Sequence, residues 1–404
     1  MSDQDKVNRR DFIVTTATIA GAATAGASSA LAQAKPPAGF DAQKPLLEYW
    51  DKQLNEVVEP NKINFEKDTR ELQQEAVKER HRIYCHLLMK LITRFWNGNK
   101  RGPFGSYPLR AAQLEPIQSD APPQPTRRYR GDMIEDPDPA VARVNWDRYL
   151  GHNIACIAVD GNGEIIDFDF NHNDFFRSSA EHAESRMVRR LFSLTDIFDS
   201  WKTGRVPGKP RAASLTKVTL YTSLESCAQC SGVMSLAGVK QVVYLQNDFT
   251  AYKVGNIMYN LANRIPTARD SLGNVISDRP GAPVPIPGSM VGLDEFDVLN
   301  KANLDFVKDL KAAEAGKDSS KAFFVSSNTT FVDFEPSITS FLCTDAARAI
   351  FERGGRKLDG PLNFAKSRFP DEKDVLTNEE CLAEAREFYK YVDIEGYRGS
   401  PHKL

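Results

Sequence analysis

Residues 218–248 read VTLYTSLESCAQCSGVMSLAGVKQVVYLQND. The run 217–224 alternates β-branched and aromatic residues and predicts a strand. Residues 227–236 are small and apolar, which suits a short helix. Residues 240–245 (KQVVYL) predict the next strand. Cys227 and Cys230 therefore sit directly after a strand and open the following helix.

Upstream, 153–160 (NIACIAVD) is a short apolar run and 164–170 (EIIDFDF) is a second one. The turn Gly161-Asn162-Gly163 joins them, so the pair predicts a hairpin. Residues 180–192 (AEHAESRMVRRLF) predict a helix with His182-Ala183-Glu184 at its start. The order β-β-α-β-α-β predicts a sheet with helices packed on it, an α/β fold.

A His-x-Glu triplet or a Cys-x-x-Cys pair says little alone. Placed at two helix N-termini, they converge at one end of a sheet, where open α/β folds hold ligands. Helix N-termini favour thiolate. One imidazole nitrogen and two thiolates make three protein ligands and leave a fourth position open, as in a catalytic zinc site. Zn2+ bound by His182, Cys227 and Cys230 would acidify a water. Glu184 would lie close to the metal without ligating it and would serve as the proton carrier.

These residues resemble the cytidine/deoxycytidylate deaminase-like zinc-binding superfamily, whose signature is H-x-E followed by P-C-x-x-C. AVDGNGEIID (158–167), SAEHAESRMVRRL (179–191) and the stretch at 218–248 are most similar to the tRNA adenosine deaminase and guanine deaminase branch. The resemblance covers 153–248. It implies a three-layer α-β-α core and a hydrolytic deaminase of an amino-substituted heterocycle: a free base, a nucleoside or a related small molecule. Hydroxide would attack the amine-bearing carbon and ammonia would leave. It also implies substrate contacts at Asn171 and Ala183, with Asn173 a competitor for the first. Glu225 suits either a substrate contact or a structural hydrogen bond. Phe175 and Phe176 suit stacking on a flat substrate or packing on the core. The sequence departs from the family at Ser226, where proline usually precedes the first cysteine, and in an insertion over 193–213 between the two metal helices.

The flanks are long. Asn8-Arg9-Arg10-Asp11-Phe12-Ile13 resembles a twin-arginine motif, and an uncharged stretch over 13–27 follows it. Small residues around 30–34 suit cleavage, so 1–34 is expected to be an export signal leading to the periplasm or outside. The stretch is too short and too rich in Thr and Gly to span a membrane well. Residues 35–144 are expected to be an N-terminal extension, with an amphipathic helix over 64–96 and a Pro-rich lid or wrap over 97–143. The core is expected over 145–265, with a further helix at 252–264. A C-terminal extension of loop and helix over 266–404 would carry a loop at 266–292 and helices at 294–315, 338–353 and 378–391. On the first helix, Glu71, Glu75, Lys78, Glu79 and Arg80 are expected to face solvent.

The formal net charge of -2 argues against a nucleic-acid partner. Export argues against tRNA as well. A small-molecule substrate and a homodimer are expected. Of the six cysteines, Cys85, Cys156, Cys343 and Cys381 are expected to be buried thiols, with at most one disulfide. His81, His86, His152, His172 and His402 are expected at surface or partly buried positions rather than as ligands. Two other readings stay open: a non-catalytic, zinc-stabilised binding protein, and a redox protein using Cys227 and Cys230.

Overall fold

The computed structural model of the protein describes residues 65–96, 153–172, 178–193, 215–249, 253–316, 324–325, 332–333 and 338–395. The expected signal, the 97–143 segment, the 193–213 insertion beyond its first residue, Asn173, Phe175, Phe176, His152 and His402 lie outside them.

Helix α1 (Glu75–Arg94) comes first, preceded by single turns at Phe65–Asp68 and Arg70–Gln73. Strands β1 (Ala155–Val159) and β2 (Ile165–Phe170) form the expected hairpin. Its turn is built by Asp160, whose Oδ1 accepts the N–H groups of Asn162 and Glu164 at 2.9 Å each. Gly163 there has φ 91°, and a Cβ on it would lie 2.9 Å from Cys381 Sγ, so glycine is required twice over. Helix α2 (Ala183–Ser193), strand β3 (Thr219–Thr222), helix α3 (Ala228–Ala237) and strand β4 (Gln241–Tyr244) follow as expected. Gly238 closes α3 in the left-handed region at φ 69°.

Helix α4 (Val254–Leu261) then leads into a two-stranded ribbon, β5 (Ile265–Arg269) with β6 (Val275–Arg279), and into β7 (Val284–Pro287). Here the structure corrects the expected loop at 266–292. β7 pairs parallel with β4 and forms the fifth strand, beyond residue 265 where the core is expected to end. Its Pro285 and Pro287 disguise it, since proline reads as a loop signal. At a sheet edge a missing N–H is tolerated, and β7 is an edge strand. Helices α5 (Asp294–Gly316), α6 (Asp345–Arg356) and α7 (Asn378–Glu395) complete the described residues, along with short pieces at 324–325, 332–333 and Ile338–Phe341. The single helix expected over 338–353 breaks at Thr344, whose side chain accepts the Ala347 N–H and caps α6.

The sheet order is β2-β1-β3-β4-β7, with β1 antiparallel to both neighbours and β3, β4 and β7 parallel. This mixed sheet with helices on both faces is the expected α/β architecture. Helices α2, α3 and α4 cover one face, and α1 and α7 the other, with α6 packed against α1. The strand register assigns side chains to faces. Phe168, Phe170, Ile157 and Tyr221 point toward α1, where Phe95 lies 6.1 Å from Phe168 and 5.5 Å from Phe170 between ring centres. Asp167, Asp169, Cys156 and Thr222 point toward α2.

Helix α1 is buried on more sides than its periodicity suggests. Glu79 and Arg80, expected at the surface, are buried. The Glu79 carboxylate accepts the N–H groups of Asn363 and Phe364 at 2.8 Å each. The Arg80 guanidinium donates to Asn378 Oδ1, Phe369 O and Ser367 O at 2.9–3.0 Å. Residues that follow the sheet in sequence fold back over α1, and these charges satisfy their backbone. Cys85, Cys156, Cys343 and Cys381 are buried free thiols. Among the described residues no helix is long and apolar enough to cross a membrane.

Candidate metal centre

The parallel strands β3 and β4 end at the edge where β1 begins and β2 finishes. Here Ser223 N–H donates to Ala155 O, and Glu225 N–H donates to Gln246 O. Cys227 occupies the N-cap of α3 in an extended conformation, φ -69° and ψ 174°, and its carbonyl accepts the Ser231 N–H. His182 lies one residue before α2, and its carbonyl accepts the Arg186 N–H. Two helix N-termini thus meet at one end of the sheet.

His182 Nδ1, Cys227 Sγ and Cys230 Sγ form a tight triangle. The sides are 3.3 Å from Nδ1 to Cys227 Sγ, 3.5 Å from Nδ1 to Cys230 Sγ and 3.6 Å between the sulfurs. Zn–S bonds of about 2.3 Å and a Zn–N bond of about 2.0 Å, arranged tetrahedrally, need edges of roughly 3.5–3.8 Å. The donor set and its spacing therefore fit Zn2+. Cys230 is buried, while His182 and Cys227 are half-buried.

Hydrogen bonding with Cys230, helped by His182, holds the Cys227 thiol down to about 4. The Cys227 sulfur in turn raises His182. Cys230 is raised well above a free thiol by its bond to Cys227 and by burial. Metal binding requires both thiols as thiolates and an imidazole nitrogen free of its proton.

Glu184 is buried in the first turn of α2. Burial raises its carboxyl, and hydrogen bonding opposes this only in part. Its Oε1 accepts from Ser226 Oγ at 3.0 Å and from Thr222 Oγ1 at 3.2 Å. Its Oε2 lies 3.5 Å from Cys230 Sγ. The Glu184 carboxylate thus touches the donor triangle without belonging to it.

Asn171 and Ala183 are both buried, and they meet each other. The Ala183 N–H donates to Asn171 Oδ1 at 2.7 Å, so the side chain after β2 ties down the start of α2. His172, expected near the surface, is buried beside it, and so are His81 and His86 on α1. His172 Nδ1 lies 2.8 Å from Phe170 O, and His81 Nδ1 shares a 2.8 Å hydrogen bond with Tyr221. Glu225 is buried and pushed up to about 7 by desolvation, while its Oε2 accepts the Asp248 N–H at 3.2 Å.

Several contributors are not visible as motifs. Ser185 Oγ lies 3.4 Å from Cys230 Sγ, and Gln229 Nε2 donates to Ser185 and to Ala180 O. Beneath α2, Asp169 Oδ2 accepts from Arg186 Nε at 3.1 Å and also from Arg190, whose other nitrogen lies 3.0 Å from Asp167. Arg186 also binds Glu181 at 2.6 Å, next to His182. The Asp-Phe-Asp-Phe alternation of β2, set against arginines four apart on α2, is the sequence signal for this network.

Residues 140–246, about a quarter of the chain, match the family model described as the cytidine and deoxycytidylate deaminase zinc-binding region. No curated protein matches the chain. A solved chain from biochemical and structural studies of A-to-I editing by tRNA:A34 deaminases at the wobble position of transfer RNA aligns at 19% identity. That alignment covers 37% of this chain and 89% of the other, with a TM-score of 0.22. The family match, laid over a His/Cys/Cys donor set in a mixed α/β sheet, supports placing this segment in the cytidine deaminase-like superfamily.

Proposed function

We propose that the protein is a zinc-dependent hydrolytic deaminase of a small amino-substituted heterocycle. The observation that carries the reading is the triangle of His182, Cys227 and Cys230 with the Glu184 carboxylate beside it. Zinc, when bound, supplies a Lewis acid that makes hydroxide accessible near neutral pH. Glu184 takes a proton from water at Oε2 and returns it to the leaving nitrogen. One water is consumed and one ammonia released. Burial of Glu184 supports this role, because a raised carboxyl gives up its proton less readily between the two transfers.

The twin-arginine-like motif and the net charge of -2 support an exported enzyme with a free base, nucleoside or related small molecule as substrate, rather than a nucleic acid. A homodimer belongs to the same proposal. Replacing Arg9 and Arg10 with lysine is expected to hold the protein in the cytoplasm, as read by fractionation. An unchanged distribution would remove the export element.

One observation favours a non-catalytic reading. Asn171 and Ala183, expected to contact substrate, hydrogen-bond each other. Against it stands Glu184, since a structural zinc has no need of a buried carboxylate, and burying one is costly. Metal analysis together with ammonia release across a panel of amino-heterocycles separates the readings. One zinc per protein molecule with ammonia release is expected. One zinc with no turnover on any panel member would favour the binding protein. No zinc and a titratable Cys227–Cys230 disulfide would favour the redox protein.

A further inference from the structure

The geometry points to Ser226 as a positioning residue that selects which oxygen of Glu184 carries the proton. This inference rests on the reading of Glu184 as the proton carrier. Ser226 stands where the resembled family usually has proline, a residue with no hydroxyl to donate.

The two carboxylate oxygens have different surroundings. Oε1 accepts the Ser226 hydroxyl at 3.0 Å and the Thr222 hydroxyl at 3.2 Å. Oε2 faces the donor triangle, 3.5 Å from Cys230 Sγ. Ser226, Thr222 and Glu184 are all buried, so water does not compete readily for these contacts. A carboxyl oxygen that already accepts two hydroxyls has no lone pair well placed for a proton. The proton from water therefore goes to Oε2, and the Oε2–H bond later breaks toward the leaving nitrogen. Through both steps Oε1 stays an acceptor, so the two hydroxyls hold the carboxyl plane in either protonation state.

Ser226 adds something that Thr222 does not. It directly precedes Cys227, the N-cap of α3, and its carbonyl accepts from Ser231 Oγ at 3.3 Å within the same helix. Its bond to Glu184 therefore links the proton carrier on α2 to the ligand-bearing end of α3. Thr222, on β3, holds the same oxygen from the sheet. Two fixed donors from two elements define an orientation that a single donor leaves free to swing.

The test compares Ser226→Ala and Ser226→Thr with the wild type, each loaded with zinc and checked for one zinc per protein molecule. In Ser226→Ala the crystal structure is expected to show the Glu184 carboxyl rotated or in more than one orientation. Its kcat should fall by about tenfold or more with KM little changed, the loss of one hydrogen bond to a charged group at the reacting end. Ser226→Thr, which keeps the hydroxyl, should recover most of the loss. A single, unchanged Glu184 orientation in Ser226→Ala overturns the inference, and so does a kcat within about twofold of wild type. If the wild type releases no ammonia from any substrate, the deaminase reading fails separately. The crystallographic comparison then still decides whether Ser226 orients Glu184.

Discussion

Strand β2 shows the two faces of the sheet in six residues. Phe168 and Phe170 point to α1 and pack on Phe95, and Phe168 also packs on Phe388 at 5.7 Å. Asp167 and Asp169 point the other way and meet Arg186 and Arg190. Both faces are buried. One is held by apolar burial, which is non-directional and tolerant of small shifts. The other is held by buried ion pairs, which add little net stability but fix geometry. The charged face is the one under His182 and Glu184. Precision is placed where donor atoms must meet within 3.3–3.6 Å, and bulk burial where only cohesion is needed.

The largest expected effect breaks the chemistry of the charged face alone. Glu184→Gln should lower kcat by about 100- to 10,000-fold, with zinc content and melting temperature near those of the wild type. Full activity in this variant would remove Glu184 from its role. Next come matched truncations of one strand. Phe168→Ala should cost about 3–5 kcal/mol in denaturant unfolding and leave zinc affinity nearly unchanged. Asp169→Ala, which leaves two buried arginines short of a partner, should cost about 3–5 kcal/mol and also weaken zinc binding. Equal effects of the two on zinc binding would erase the distinction between the faces.

Smaller effects come from pH and from the periphery. Burial holds His81, His86 and His172 down to about 4. An unfolded histidine titrates near 6.5, so the unfolded state takes up protons first as pH falls. The stability these residues contribute is complete above about pH 6.5 and lost as pH falls toward about 4, on the order of 1–3 kcal/mol each. Denaturant midpoints measured from pH 7 to pH 4 should fall over that window. His81→Gln should flatten the fall by one residue's share, and an unchanged slope would contradict it. Asp278, which Arg264 holds below the usual carboxylate range, sits half-exposed where β6 meets the turn before α1. Asp278→Asn should cost less than about 1 kcal/mol and leave zinc content untouched.

The donor set and its surroundings differ in how legible they are in the sequence. The hairpin, α2, β3, α3 and β4 can be read because each is a local pattern bounded by glycine or a polar turn. The converging His182, Cys227 and Cys230 follow from where those elements start. β7 is hidden because Pro285 and Pro287 suppress a strand reading, and only its place at the sheet edge makes them acceptable. The burial of Glu79 and Arg80 is hidden for a related reason. Their partners at Asn363, Phe364 and Asn378 lie roughly 280–300 residues away in sequence, and no periodicity carries that information. Ser226 is visible as a departure from the family's proline, but its bond to Glu184 appears only once α2 and α3 are side by side. Asn171 and Ala183 are implied as substrate contacts by the family resemblance alone, and only the fold shows that the Ala183 N–H donates to Asn171 Oδ1.

X-ray absorption at the zinc edge of the purified, metal-loaded protein tests the central claim most directly. The account predicts two sulfur neighbours at about 2.3 Å and two light neighbours at about 2.0–2.1 Å, one being His182 Nδ1 and the other a position left open for water or substrate. A third sulfur, or a protein that binds no zinc and carries a Cys227–Cys230 disulfide, would contradict it.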